Sequence, residues 1–185
     1  MSTYKTLITE DRLKEIVRLA KTAPEDGVVV ELGVYQGGSL LYLAESLSPE
    51  RQIIGFDTFS GLPKEQWNKD EVHVPGDFKD TSWLGVFEYL IIENKRNNIL
   101  LVGGLFPETA YFLKEIPVSF VHVDFDFYEG AKAAIDFFRD KMVKGGVMVF
   151  DDYKWPNCPG VEKALQESGL TYQPTKADYQ AYIQF

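Results

Sequence analysis

Residues Val28–Ser39, VVVELGVYQGGS, decide how the rest of the chain is read. Three β-branched residues, Val28, Val29 and Val30, run into Glu31 and a turn carrying Gly33, Gly37 and Gly38, after which SLLYLAESL has the apolar spacing of a helix. Strand, tight turn and helix in that order form a ligand cradle, with the ligand beyond the carboxyl end of the strand and against the helix N-terminus. The glycine spacing narrows the ligand. A dinucleotide fingerprint needs G-x-G-x-x-G, whereas Gly33 is followed by Val34 and Tyr35, giving E-x-G-x-x-x-G from Glu31 to Gly37. That spacing is associated with S-adenosylmethionine (AdoMet) sites and disfavours an NAD-linked oxidoreductase. Short glycine patterns also arise in ligand-free turns, so the remainder of the chain has to carry part of the case.

The next strand, RQIIGFD, ends in Asp57, twenty positions after Gly37. An acid at the tip of the second strand of such a unit accepts hydrogen bonds from ribose hydroxyls, which agrees with a nucleoside-containing ligand; acids at strand ends also simply begin turns. Upstream, Leu13, Ile16, Val17, Leu19 and Ala20 recur at helical spacing over Glu10–Ala23, with Thr9 as N-cap and Pro24 as the stop. Residues 1–27 therefore form a short helical lead-in.

Downstream, Thr58–Asp80 has two prolines, two glycines and no sustained periodicity. A loop of this length in a compact domain is usually functional or disordered, and 58–80 reads as a lid from which Trp67 and His73 could face a substrate. For His73 the default is a solvent-exposed loop histidine. A helix from Thr81, the strand NILLV, a short helix PETAYFLKE and the strand VSFVHVD follow. Then come a helix over Tyr128–Met142, a Gly145–Gly146 turn, the strand VMVFDD and a helix over Val161–Ser168. The tail segments LTYQP and YQAYIQF suggest a closing antiparallel hairpin. Strands alternating with helices indicate an α/β fold with a parallel sheet covered on both faces. Phe120, Phe125, Phe127, Phe137 and Phe138 are expected in the core.

The whole-chain properties bound the function. With 185 residues and 45% apolar content, the chain has the length of one domain and enough material for a core. A formal net charge of -9 opposes a general nucleic-acid binder, and no apolar run reaches membrane-spanning length. One cysteine, Cys158, excludes an internal disulfide framework, and the start MSTYKTLITEDR lacks a signal-peptide apolar core. The expected setting is cytoplasmic, with a small-molecule partner and neither nucleic acid nor membrane. Cys158 lies in WPNCPG with no helix N-terminus or basic partner evident, so no nucleophile is assigned to it.

Two strand ends carry an excess of acid: Asp124-Phe125-Asp126 and Asp151-Asp152-Tyr153. In a parallel sheet both open on the edge that carries Glu31 and Asp57, where converging carboxylates repel unless protons or a cation intervene. Oxygen ligands suit Mg²⁺, and Mn²⁺ equally, although such acids can also face solvent separately. An alcohol becomes a nucleophile as it loses its proton, which a metal promotes and a neighbouring carboxylate accepts. On this chemistry Asp124, Asp151 and Asp152 are metal ligands and Asp126 is the base, with Asp124 and Asp126 able to exchange roles. His122 shares strand parity with Asp124, but the default for a histidine within an apolar strand is a hydrogen-bonded core residue.

The ordered motifs ELGVYQGGS, GFDTFSGLP, GDFKDTS, LVGGLFPET, FVHVDFDFYEGAKAAIDFF and KGGVMVFDDYKWPNCPGVEKA make the stretch from about Val28 to Val161 resemble the TylF/MycF (macrocin O-methyltransferase) family of class I AdoMet-dependent methyltransferases. The resemblance implies a seven-stranded Rossmann-like sheet with an antiparallel last strand. It also implies AdoMet as donor and Mg²⁺-dependent methylation of a sugar or other polyol hydroxyl in natural-product assembly. It gives Asp124, Asp151 and Asp152 as the metal set and Asp126 as the base, and it accompanies a cofactor set of Glu31, Gly33, Tyr35, Gly37, Ser39, Asp57, Thr58 and Asp124. Family members carry a longer part before the first strand than the 27 residues here, which leaves substrate enclosure and homodimer formation open. Two rivals stand beside this reading. The D-x-D run also resembles the nucleophile motif of haloacid-dehalogenase-type phosphatases, though that motif normally opens its domain. A catalytically silent AdoMet-binding protein would bind cofactor without needing metal.

Overall fold

In the computed structural model, which describes residues 4–185, β1 (Val28–Leu32) lies between β2 (Ile53–Asp57) and β4 (Val118–Val123) and runs parallel to both. Met1–Thr3, the first residues of the lead-in, lie outside the described residues. With β3 (Ile99–Gly103), β5 (Met142–Asp151), β6 (Tyr172–Pro174) and β7 (Gln180–Gln184), the seven strands form one sheet in the order β3-β2-β1-β4-β5-β7-β6. The first five are mutually parallel, and β7 pairs antiparallel with both β5 and β6. The expected α/β architecture and closing hairpin are both present.

Helices cover both faces, which is why the central strands read as nearly continuous apolar runs. On one side Val30, Leu32, Val121, Val123, Met148 and Phe150 pack with α4 (Tyr128–Phe138) and α5 (Pro159–Glu167). On the other, Val29, Phe120, Val147 and Val149 pack with α1 (Glu10–Ala20) and α2 (Gly38–Ser46). Phe120, Phe127 and Phe138 are fully buried, while Phe125 and Phe137 are partly buried at the core's edge.

Three boundaries depart from the sequence pattern. Helix α1 ends at Ala20 rather than Ala23, and its N-cap Thr9 makes no side-chain capping bond. The helix expected from Thr81 is a short α3 (Trp83–Phe87), capped by Ser82 Oγ accepting from Gly85 N at 3.1 Å, which widens into a π-turn over Glu88–Glu93. The wider turn lets Tyr89 O accept from both Asn94 N and Asn94 Nδ2. The third departure is the largest. Helix α4 stops at Phe138, and Met142 already pairs with Val118, so Gly145 and Gly146 lie inside β5 rather than ahead of it. Pairing moves from Val118↔Met142 to Phe120↔Val147, so the glycines sit in a bulge, where Gly145 N donates to Phe185 O at 2.7 Å.

Candidate active site

The carboxyl ends of β1, β2, β4 and β5 open into a cavity of about 310 Å³. At its β1–β2 wall the chain turns sharply at Gly33, φ +88°, where any Cβ would lie 1.9 Å from the carbonyl oxygen of Asp124. Only glycine permits that approach, and it brings the end of β4 against the turn. Asp57 holds the turn open from the other side. Its Oδ2 accepts from Val34 N at 2.9 Å and Tyr35 N at 2.7 Å, and its Oδ1 accepts from Phe59 N at 2.7 Å. Burial raises the Asp57 carboxyl above its usual range, and these three amides pull it back down. Tyr35, itself at positive φ, sends its hydroxyl to Asp80 at 2.8 Å.

The β4–β5 wall has a different character. Asp124, Asp126, Asp151 and Asp152 all line the cavity, and a ring nitrogen of His122 lies within 4.8 Å of carboxylate oxygens of Asp124 and Asp151. Burial, followed by the neighbouring carboxylates, pushes Asp124 and Asp126 well up; Asp151 is the leading neighbour for Asp124 and Asp152 for Asp126. Asp151 is raised to about 6 by burial, with Arg12 opposing the rise. Arg12 Nη1 donates to Asp151 Oδ2 at 2.8 Å and to Asp152 Oδ1 at 3.3 Å. Gln180 Nε2 on β7 donates to Asp151 Oδ1 at 2.7 Å. Backbone strain accompanies the charge: Asp126 and Asp152 sit at φ +60° and +61°, where residues with a Cβ are uncommon.

Of the residues expected at the cofactor, Gly33, Tyr35, Ser39, Asp57, Thr58 and Asp124 line this cavity. Glu31 and Gly37 do not. Glu31 is fully buried and pairs with His122 Nδ1 at 2.8 Å, so His122 is the hydrogen-bonded core residue the strand pattern predicts. Gly37, φ +86°, backs onto Val86 and Leu90. From the 58–80 loop, His73 reaches the cavity, whereas Trp67 turns away and donates its indole N–H to the His73 carbonyl at 3.1 Å. Cys158 is not in an open loop: it is the buried N-cap of α5, and desolvation with the adjacent Asp126 drives its thiol pKa up. Sequence reasoning missed Arg12 and the segment Lys5–Ile8, which also lines the cavity. Lys5 O accepts from Gly38 N at 3.1 Å, laying this segment over the start of α2.

Comparison with known proteins follows the same lines as the fold. The family model for macrocin O-methyltransferase (TylF) matches residues 2–182. The 8-demethyl-8-(2,3-dimethoxy-alpha-L-rhamnosyl)-tetracenomycin-C 4'-O-methyltransferase of Streptomyces olivaceus is 23% identical over 173 residues, 85% of this chain and 66% of the relative. The chain thus spans about two thirds of that relative's length. Among solved structures, the O-methyltransferase NovP superposes with a TM-score of 0.79 at 21% identity, over 97% of this chain and 81% of that one. The calicheamicin methyltransferase CalS11 gives 0.75 at 24% identity, over 94% and 77%. Both structures share the fold described above.

Proposed function

The chain belongs to the macrocin O-methyltransferase (TylF) family, and from that premise we propose that it methylates a hydroxyl of a sugar or other small polyol, using AdoMet and a divalent cation. One observation carries this reading: a single cavity joins the Gly33 turn and Asp57 to the four carboxylates of the β4–β5 wall. The rhamnose-bearing substrate in the name of the Streptomyces olivaceus relative supports a sugar acceptor. The net charge of -9 supports a small-molecule partner over nucleic acid, and we take the setting as cytoplasmic.

The residues fit both groups. Gly33, Tyr35, Ser39, Asp57 and Thr58 would hold the AdoMet end, on backbone donors and a carboxylate suited to ribose. For the cation, four carboxylates line this wall, Arg12 pairs with two of them, Asp151 and Asp152, and burial followed by the neighbouring carboxylates pushes the pKa of Asp124 and Asp126 up. That excess of hard oxygen donors suits Mg²⁺ on Asp124, Asp151 and Asp152. When bound, AdoMet supplies an electrophilic methyl group and the cation supplies positive charge that lowers the acceptor hydroxyl's pKa. The chain's part is to place that hydroxyl against Asp126. As the hydroxyl takes up the methyl group that AdoMet would supply, Asp126 would accept the hydroxyl proton. Arg12 and Gln180 hold Asp151 in place meanwhile.

Calorimetric titration with AdoMet and S-adenosylhomocysteine, then with Mg²⁺ on the cofactor-loaded protein, tests the reading. Two binding events are expected. Cofactor binding without metal binding would remove the cation from the proposal, and no cofactor binding would overturn it.

A further inference from the structure

Two side chains have chemistry that methyl transfer leaves idle: the imidazole of His73, which lines the cavity, and the thiol of Cys158, buried behind Asp126. They meet at Asp126. One donor atom from each of His73, Asp126 and Cys158 lies within 4.8 Å of the other two, with Cys158 Sγ 3.6 Å from Asp126 Oδ1.

The fold holds each of the three. His73 Nδ1 lies 3.1 Å from Asp77 Oδ2 and its ring packs against Phe78, which leaves Nε2 as the uncommitted nitrogen. Trp67 pins the His73 carbonyl, and Glu71, two residues earlier, accepts from Tyr128 N at 2.7 Å, tying the loop to the start of α4. Cys158 is buried at the start of α5, its N–H donating to Trp155 O at 3.0 Å. Asp126 is fixed by its left-handed backbone at the end of β4.

We propose that His73, Asp126 and Cys158 form a binding site for a thiophilic divalent cation of the zinc class, separate in donor chemistry from the all-oxygen set of Asp124, Asp151 and Asp152. One nitrogen, one oxygen and one sulfur donor are the ligand types that Zn²⁺ and Co²⁺ take, with a fourth position open to the cavity. Thiolate and imidazole select these ions against Mg²⁺. A carboxylate on the ring nitrogen that does not bind the metal, here Asp77 beside Nδ1, is the usual outer support of such a ligand. The coordination itself is independent of the methyltransferase reading. Its consequence rests on that reading: a cation on Asp126 removes the carboxylate assigned as base, so zinc-class ions would inhibit methyl transfer.

The test is absorption titration of the 185-residue chain with Co²⁺ in excess Mg²⁺. The expected result is a thiolate-to-cobalt charge-transfer band saturating at one equivalent, lost in Cys158→Ser and kept in Asp151→Asn. His73→Gln, on the loop and away from the packed core, should weaken Co²⁺ binding at least tenfold and guards against a folding failure in the cysteine variant. A band absent from the unmodified protein, or retained in Cys158→Ser, or an unchanged affinity in His73→Gln, would overturn the site. AdoMet titration of the same samples separates the two readings, because it reports the cofactor end whether or not Co²⁺ binds.

Discussion

The two walls of the cavity solve opposite electrostatic problems. At β1–β2 a single carboxylate, Asp57, is surrounded by donors, three of them backbone amides. At β4–β5 four carboxylates line the wall: Arg12 reaches Asp151 and Asp152, Gln180 reaches Asp151, and the Cys158 thiol lies 3.6 Å from Asp126. The first wall is complete as it stands, a rigid set of dipoles that a ligand can join. The second carries more negative charge than the protein balances, and so is set up to bind a cation or protons. On the proposed function, cofactor binding and chemistry would be divided between the two ends of one cavity.

The largest effect should come from the charged wall. Asp126→Asn is expected to lower turnover by ~10²–10⁴-fold while AdoMet affinity stays within a few-fold, as read by steady-state kinetics beside calorimetry. If cofactor affinity fell by as much as turnover, the division between the walls would fail. On the other wall, Gly33→Val sets a Cβ 1.9 Å from the Asp124 carbonyl at a positive φ, and should destabilise the fold by on the order of 3 kcal/mol in denaturant titration. Because Gly33 touches the end of β4, that substitution should impair both walls together.

A pH scan distinguishes them next. Asp151 has its folded-state carboxyl raised to about 6 from 3.8, so the folded protein holds its proton more tightly than the unfolded chain does. Its contribution to stability is full below the lower value and is lost as pH rises through about 6. Asp124 and Asp126, raised in the same direction, extend the loss upward. The thermal midpoint of the metal-free protein should therefore fall as pH is raised above 4, and Mg²⁺ should flatten the fall. A midpoint indifferent to Mg²⁺ would mean that the carboxylates do not bind the ion. The smallest effect is expected from Tyr35→Phe, which removes an exposed hydroxyl contact to Asp80 and should cost about 0.5–1 kcal/mol.

Much of the glycine-turn wall is local in sequence. Val28–Ser39 contains the strand, the turn and the helix start, so its periodicity and glycine spacing report directly on Gly33, Tyr35 and Ser39. The acidic pairs were legible for the same reason, each sitting at the end of an apolar strand pattern. Arg12 was not, because it lies on an amphipathic helix where an arginine ordinarily faces water, and its partner Asp151 is 139 residues away. Glu31 misled in the opposite sense: its place beside the glycine motif suggested the ligand, yet cross-strand pairing with His122 turns it into the core. Gly145 and Gly146 carried a turn signal that pairing with β4 and β7 overrode. In each case the deciding contact was made by a strand or helix remote in sequence.

That remoteness has a consequence in time. Asp151 is synthesised 139 residues after Arg12, so at ~5–20 residues per second the wait between them is on the order of ten seconds. For that interval α1 has no β5 to cover Leu13, Ile16 and Val17, which end up packed with Val147 and Val149. The nascent chain must carry a partly covered apolar helix, packed only on α2 and the earlier strands, until β5 emerges. Growth temperature and chaperone supply should therefore govern the yield of this protein more than the stability of the finished fold would suggest.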